Sequence, residues 1–184
     1  AIILYSFKTP LIDGANKNLN TNLDEKIERK VDSVLALMRL NEKIGQLVQY
    51  SGKWNATGPS ASNADKHKLN KLKNGEVGSM LNITSVASIR ETQKMVMDHS
   101  RLKIPLIFGY DVIHGYKTIF PIPLGESASW DLEIIKKTAA IAAKETAASG
   151  IQWTFAPMID ISRDARWGRV MEGAGEDVYL NTVI

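Results

Sequence analysis

The apolar positions of this chain change rhythm near residue 77, and the two rhythms predict different structures. Between residues 24 and 38, Ile27, Val31, Val34, Leu35 and Met38 recur at i, i+4, i+7, i+8 and i+11, which places them on one face of a helix. A second helix is predicted from Asn41, a residue suited to an N-cap, with Ile44, Leu47 and Val48 on its buried side. Ser51–Asn63 is rich in Ser, Gly, Asn and Pro and reads as a loop.

Beyond that loop the apolar runs shorten to strand length. Val77–Leu81, Ile104–Phe108 and Trp153–Pro157 are the three strand candidates, the second ending in Gly109-Tyr110-Asp111. Helical stretches at Ser85–Ser100 and Asp131–Ser149 separate them, and a further helix starts at Asp177. A long loop containing Pro121, Pro123 and Gly125 leads into the 131–149 helix. That helix carries Asp131 and Glu133 in its first turn and has Gly150 just past its end, as the helix dipole and a left-handed C-cap favour. The order is two leading helices, then strand and helix in alternation. Strands separated by crossover helices pair in parallel, so the predicted fold is α/β.

Composition narrows the class without naming it. The 184 residues are 44% hydrophobic and 23% charged, a globular balance sized for one domain with a real core. The 23 Lys+Arg exceed the 20 Asp+Glu by three, too few for a nucleic-acid footprint. The most basic cluster, Lys66–Lys73, has leucines between its charges and reads as the solvated face of a helix. Absence of cysteine removes disulfides, thiolate zinc sites and cysteine nucleophiles together. No apolar run approaches the ~20 residues that span a bilayer. The opening AIILYSF, followed by polar sequence from Asp13 to Asn22, marks residues 1–22 as a separate segment, the remnant of a signal or a linker.

Candidate chemistry gathers in the loops after the second and third predicted strands. Asp111, His114 and Lys117 follow the second; Asp160, Arg163, Asp164, Arg166, Arg169, Glu172, Glu176 and Asp177 follow the third. In parallel α/β proteins the carboxyl ends of the strands are where ligands bind, so two charged loops there point to one polar site. An ionised Asp111 suits a pair of adjacent sugar hydroxyls, or else it anchors its own loop by accepting backbone amides. His114 has no second histidine at ligand spacing, so a metal site is not indicated; a loop-fixing role fits it. Arginine offers planar paired donors for carboxylates or vicinal hydroxyls, yet part of this charge set must neutralise itself as a salt-bridge network. Neither GxxxxGK[ST] nor GxGxxG occurs, and no cofactor is implied.

The strings YDVIHGYKT, FPIPLG and APMIDISRDARWGRVMEGAGEDVYL, together with LNEKIGQL, VGSMLN and SRLKIPLIFGYD, resemble the N-terminal barrel domain of glycoside hydrolase family 3. The likeness runs from about residue 24 to the last residue. It implies the N-terminal part of a (β/α)8 barrel, about three βα units preceded by two helices. It further implies retaining hydrolysis of terminal β-D-glucosyl residues, a β-glucoside or β-linked oligosaccharide substrate, and a periplasmic or secreted location. Retention requires a nucleophilic and an acid/base carboxylate roughly 5–5.5 Å apart. The resemblance places both beyond residue 184, so no catalytic residue is expected here and the remainder of the chain is needed to complete the site.

Carried over by motif, Asp111 and Arg169 match sugar-binding residues, and Lys117 stands where relatives often have Arg. His114, Arg166, Glu172, Glu176 and Asp177 are expected to form the network that supports them. Asp164-Ala165-Arg166 departs from the usual Asp-Pro-Arg. Two other readings are a non-catalytic carbohydrate-binding α/β domain and a small doubly wound domain with purely structural loops. Residues 77–184 hold only three predicted strands, whereas an eight-unit barrel takes ~250 residues, which independently suggests an N-terminal portion of something longer.

Overall fold

A computed structural model describes residues 17–52 and 62–184, with side chains from residue 23 in the first stretch and residue 67 in the second. The AIILYSF opening and most of the Ser51–Asn63 loop lie outside the described residues. The chain divides into two units, one up to Arg39 and one from Leu40 to Ile184. The first holds the predicted leading helix, α1 (Lys17–Leu37), which starts seven residues earlier than its apolar spacing indicated.

The second unit is an α/β layer. After α2 (Leu40–Gly45) come β1 (Gln49–Ser51), α3 (Ser62–Lys73), β2 (Ser79–Leu81), α4 (Val86–His99) and β3 (Ile107–Tyr110). A short α5 (Pro123–Ser127), α6 (Leu132–Ala148), β4 (Trp153–Thr154) and α7 (Val178–Val183) follow. The four strands pair in chain order and all in parallel. The sheet therefore has a fourth βα unit, at its front, where the sequence indicated about three. Gln49–Ser51 went unrecognised because only Tyr50 in it is apolar.

Register explains the two faces. Tyr50, Met80 and Phe108 are aligned neighbours, and they pack with Leu72, Ile89, Val96, Leu106 and Ile151 against the helices as the core. Gln49, Ser79 and Ile107 align on the opposite face, where Gln49 Nε2 donates to Ser79 Oγ at 3.3 Å. One face is an apolar core and the other a part-polar surface.

Two expectations change. α2 includes Asn41 rather than being capped by it, and Asn41 Nδ2 instead donates to Glu76 Oε1 at 3.0 Å. Ile44 and Leu47 are 54% and 68% exposed; Glu42 and Gly45 are the buried residues of this helix. The reason is specific: Arg101 grips both oxygens of Glu42 at 3.0 and 2.6 Å, and Gly45 lies against the Glu76 backbone too closely for a side chain. The second strand begins at Ile107, not Ile104, because Pro105 has no amide and the Leu106 amide donates to Gln93 Oε1 at 3.0 Å. Three helices, α4, α6 and α7, start where their caps say. Ser85, Asp131 and Asp177 each accept from an amide three residues on, and Gly150, at φ +88, ends α6.

Candidate functional site

Asp111 is the first residue after β3, and the chain beyond it folds into a closed turn. The Phe120 amide donates to the His114 carbonyl at 2.8 Å, and His114 Nδ1 lies 3.0 Å from the Phe120 carbonyl. Gly115 and Ile119 bridge in antiparallel fashion within it. Gly115 has φ +117, and a Cβ there would lie 2.0 Å from the Thr118 carbonyl oxygen, so only glycine permits this turn. His114 thus fixes the loop through its ring nitrogen.

The same turn is held at its tip and its side. Glu145, half-buried on α6, accepts from the Lys117 amide at 2.8 Å, the Thr118 amide at 2.8 Å and the Thr118 hydroxyl at 2.7 Å. Those bonds, the Thr118 amide first, hold the Glu145 carboxyl below the usual carboxylate range. Tyr116 donates its hydroxyl to the Thr84 carbonyl at 2.9 Å and meets Tyr110 edge to face at 5.8 Å. Lys117 Nζ sits 5.3 Å from the centre of the Tyr116 ring, a cation–π placement.

The loop after β4 doubles back on itself. Met158 bridges Gly173, and the Ser162 amide donates to the Gly175 carbonyl at 3.0 Å. At its far side a single 3-10 turn, Val170–Glu172, follows Arg169 and packs on α5. Arg169 donates from Nε at 3.1 Å to each Glu172 oxygen and from Nη2 at 2.6 Å to Oε2. Glu172 raises the Arg169 pKa first by that bonding and then by its field, with smaller contributions from Asp160 and Asp111. Asp111, from one strand-end loop, therefore shares an electrostatic neighbourhood with Arg169, from the next.

The wider network expected around Arg169 is not what forms. Only Glu172 of that set bonds to it. Arg166 turns back on Asp164, at 3.0, 3.2 and 2.6 Å, and is 90% exposed. Asp177 caps α7 through the Leu180 amide at 2.6 Å, and Glu176 is exposed. Glu145 and Met158 sit by this site without having been singled out as its parts, whereas Asp160, already among the charged residues after the third predicted strand, contributes to the field at Arg169. Glu145 left one sequence signal, an acid within the small-residue run AAKETAA.

Asp111 itself is exposed and, among the described residues, its carboxylate accepts no hydrogen bond. That geometry does not match a loop anchor. A cavity of about 590 Å³ also opens between α6, β4 and the 156–159 segment, with His114 and Glu172 on its wall. Asp111, Lys117 and Arg169 do not line it, so this largely apolar space adjoins the polar site through His114 and Glu172 without including its three candidate sugar contacts. No group of three or more metal-ligating side chains occurs among the described residues.

A parallel sheet with helices on one face and its charged loops at the strand carboxyl ends defines a barrel-type α/β scaffold carrying a polar binding site. The family model for the glycosyl hydrolase family 3 N terminal domain matches residues 39–184, and the chain belongs to that family. The architecture is accordingly that of the N-terminal part of a (β/α)8 barrel. The periplasmic β-glucosidase of Salmonella typhimurium is 44% identical over 154 residues, covering 84% of this chain and 19% of that protein. The lysosomal β-glucosidase of Dictyostelium discoideum is 29% identical, covering 90% of this chain and 23% of its own length. Among solved structures, β-glucosidase from Listeria innocua in complex with glucose superposes with a TM-score of 0.73 at 39% identity, over 84% of this chain and 22% of that one. The chain thus spans about a fifth of the length of these relatives.

Proposed function

We propose that this chain builds part of the sugar site of a β-glucosidase-type retaining hydrolase that acts on terminal non-reducing β-D-glucosyl residues. The observation that carries the reading is the placement of Asp111 and Arg169 on two successive strand-end loops, with the Asp111 carboxylate exposed and accepting no hydrogen bond among the described residues and Arg169 oriented by Glu172. An exposed carboxylate on one loop and an oriented guanidinium on the next supply charged acceptors and planar donors, the set that vicinal hydroxyls require. Lys117 adds a third polar contact. The names of the relatives and the glucose-bound Listeria structure support the substrate class.

In this reading residues 23–184 belong to the barrel domain and residues 1–22 to a leader or linker. The nucleophilic and acid/base carboxylates are contributed by other parts of the protein, and the protein works in the periplasm or outside the cell. The test is turnover of an aryl β-glucoside by the full-length protein, with the anomer of the first product followed by NMR. Release of β-glucose as the first product is expected. Sugar binding without turnover would favour a non-catalytic carbohydrate-binding domain, and inverted product would exclude the retaining mechanism.

A further inference from the structure

The Glu145 carboxylate is spent entirely on a loop that belongs to another element. It stands on α6, and its three bonds all go to Lys117 and Thr118, two consecutive residues at the tip of the turn after β3. A lone carboxylate that gathers two successive amides and a hydroxyl at 2.7–2.8 Å forms charge-assisted bonds and fixes both peptide planes. The rest of the turn is closed by the His114–Phe120 pair and by Tyr116 on Thr84. With these in place, the backbone of Lys117 has little freedom, and its side chain leaves the turn across the Tyr116 ring. Among the described residues Lys117 has no carboxylate within ion-pair distance, so its ammonium remains available to a ligand.

We infer that Glu145 is a positioning residue for the sugar site, acting through the 117–118 backbone to aim Lys117 at substrate. The inference rests on the function proposed above. It assigns a role to a residue that meets no sugar and lies on the outer helix layer. A carboxylate has acceptor capacity for all three donors, whereas the single amide oxygen of glutamine accepts two and alanine accepts none.

The test is a double-mutant cycle in the full-length protein, with kcat and KM measured separately on an aryl β-glucoside. Glu145→Ala is expected to raise KM about tenfold with kcat within about twofold, because the contact it aims is made in the ground state and transition state alike. Glu145→Gln should recover part of that loss. Thr118→Val, which removes one of the three bonds, should raise KM about two- to threefold even if the alanine variant folds badly. In the Lys117→Met background, Glu145→Gln should change KM by less than twofold, since the residue it positions is gone. Equal Glu145→Gln effects with and without Lys117, or a melting-temperature loss with unchanged KM, would overturn the inference while leaving the enzyme reading intact. A wild-type protein with no turnover would overturn both.

Discussion

Arg169 and Glu172 form a forked pair from the residue before a single 3-10 turn to its last residue, guanidinium Nε and Nη2 against both carboxylate oxygens at 2.6–3.1 Å. Glu172 is the better buried partner, with 22% of its side chain exposed against 57% for Arg169. The acid is the more sheltered member, and the guanidinium is the more solvent-accessible one. Such a pair orients a guanidinium more than it stabilises a fold, because the outer half is solvated and screened.

Glu172→Gln should therefore act on function first. In the full-length protein it should lower kcat/KM on an aryl β-glucoside by about tenfold, the loss of one charge-assisted bidentate contact. Arg166→Ala is the control, since Arg166 bonds only to the exposed Asp164 in its own loop. Its kcat/KM should stay within about twofold and its melting temperature within about 2 °C of wild type. Equal losses from the two variants would mean that the loop behaves as one charge network after all.

Three glycines should separate by the space around them. A Cβ on Gly115 would collide with the Thr118 carbonyl at 2.0 Å in a left-handed backbone, one on Gly109 would meet the Phe155 ring at 3.0 Å, and one on Gly168 would meet nothing within 4 Å. Thermal melts should rank the alanine variants Gly115 as most damaging, Gly109 next and Gly168 near neutral. The ring at Gly109 can shift, which caps that cost at roughly 1–3 kcal/mol, whereas backbone at Gly115 cannot. A Gly168→Ala variant as damaged as Gly115→Ala would contradict the loop geometry.

Acid should loosen the site loops before it unfolds the core. Glu145, held low first by the Thr118 amide, and Glu172, held low first by Arg169, both titrate below the ordinary glutamate range. A carboxylate lowered in the folded state contributes stability that is fully present above its unfolded pKa of about 4.3 and is lost as pH falls through the folded value. Melting temperature should be level above about pH 5 with respect to these groups and should fall below about pH 4. Glu145→Gln should flatten part of that fall. An unchanged acid slope in the variant would remove Glu145 from the account.

How much of this was legible depended on what each signal reports. Helices with caps were readable, because Ser85, Asp131 and Asp177 announce their starts locally, and Gly150 its end. The position of Asp111 directly after β3 was readable from the apolar run that ends there. β1 was not, since a three-residue strand with Tyr50 as its single apolar member is too short for its alternation to stand out. α2 misled in the opposite sense: Ile44 and Leu47 are apolar yet exposed, while Glu42 is buried by a partner 59 residues away. The Glu145 contact spans 27 and 28 residues. No local pattern encodes a bond of that range, and only the packing of α6 beside the turn creates it.

The last prediction concerns Asp111, whose carboxylate accepts nothing from the protein among the described residues. If it grips sugar hydroxyls more tightly as the ring approaches an oxocarbenium-like transition state, its charge matters to the chemical step and little to folding. Asp111→Asn keeps the shape and one acceptor oxygen but turns charge-assisted bonds into ordinary ones. That difference, roughly 1–3 kcal/mol, corresponds to about a ten- to hundredfold fall in kcat/KM for the full-length protein. Melting temperature should hold, because no amide loses a partner. A loop anchor would give the reverse, a lower melting temperature with near-normal kinetics per folded molecule. Measuring both on one preparation separates the two, and unchanged kinetics would end the substrate-binding role of Asp111.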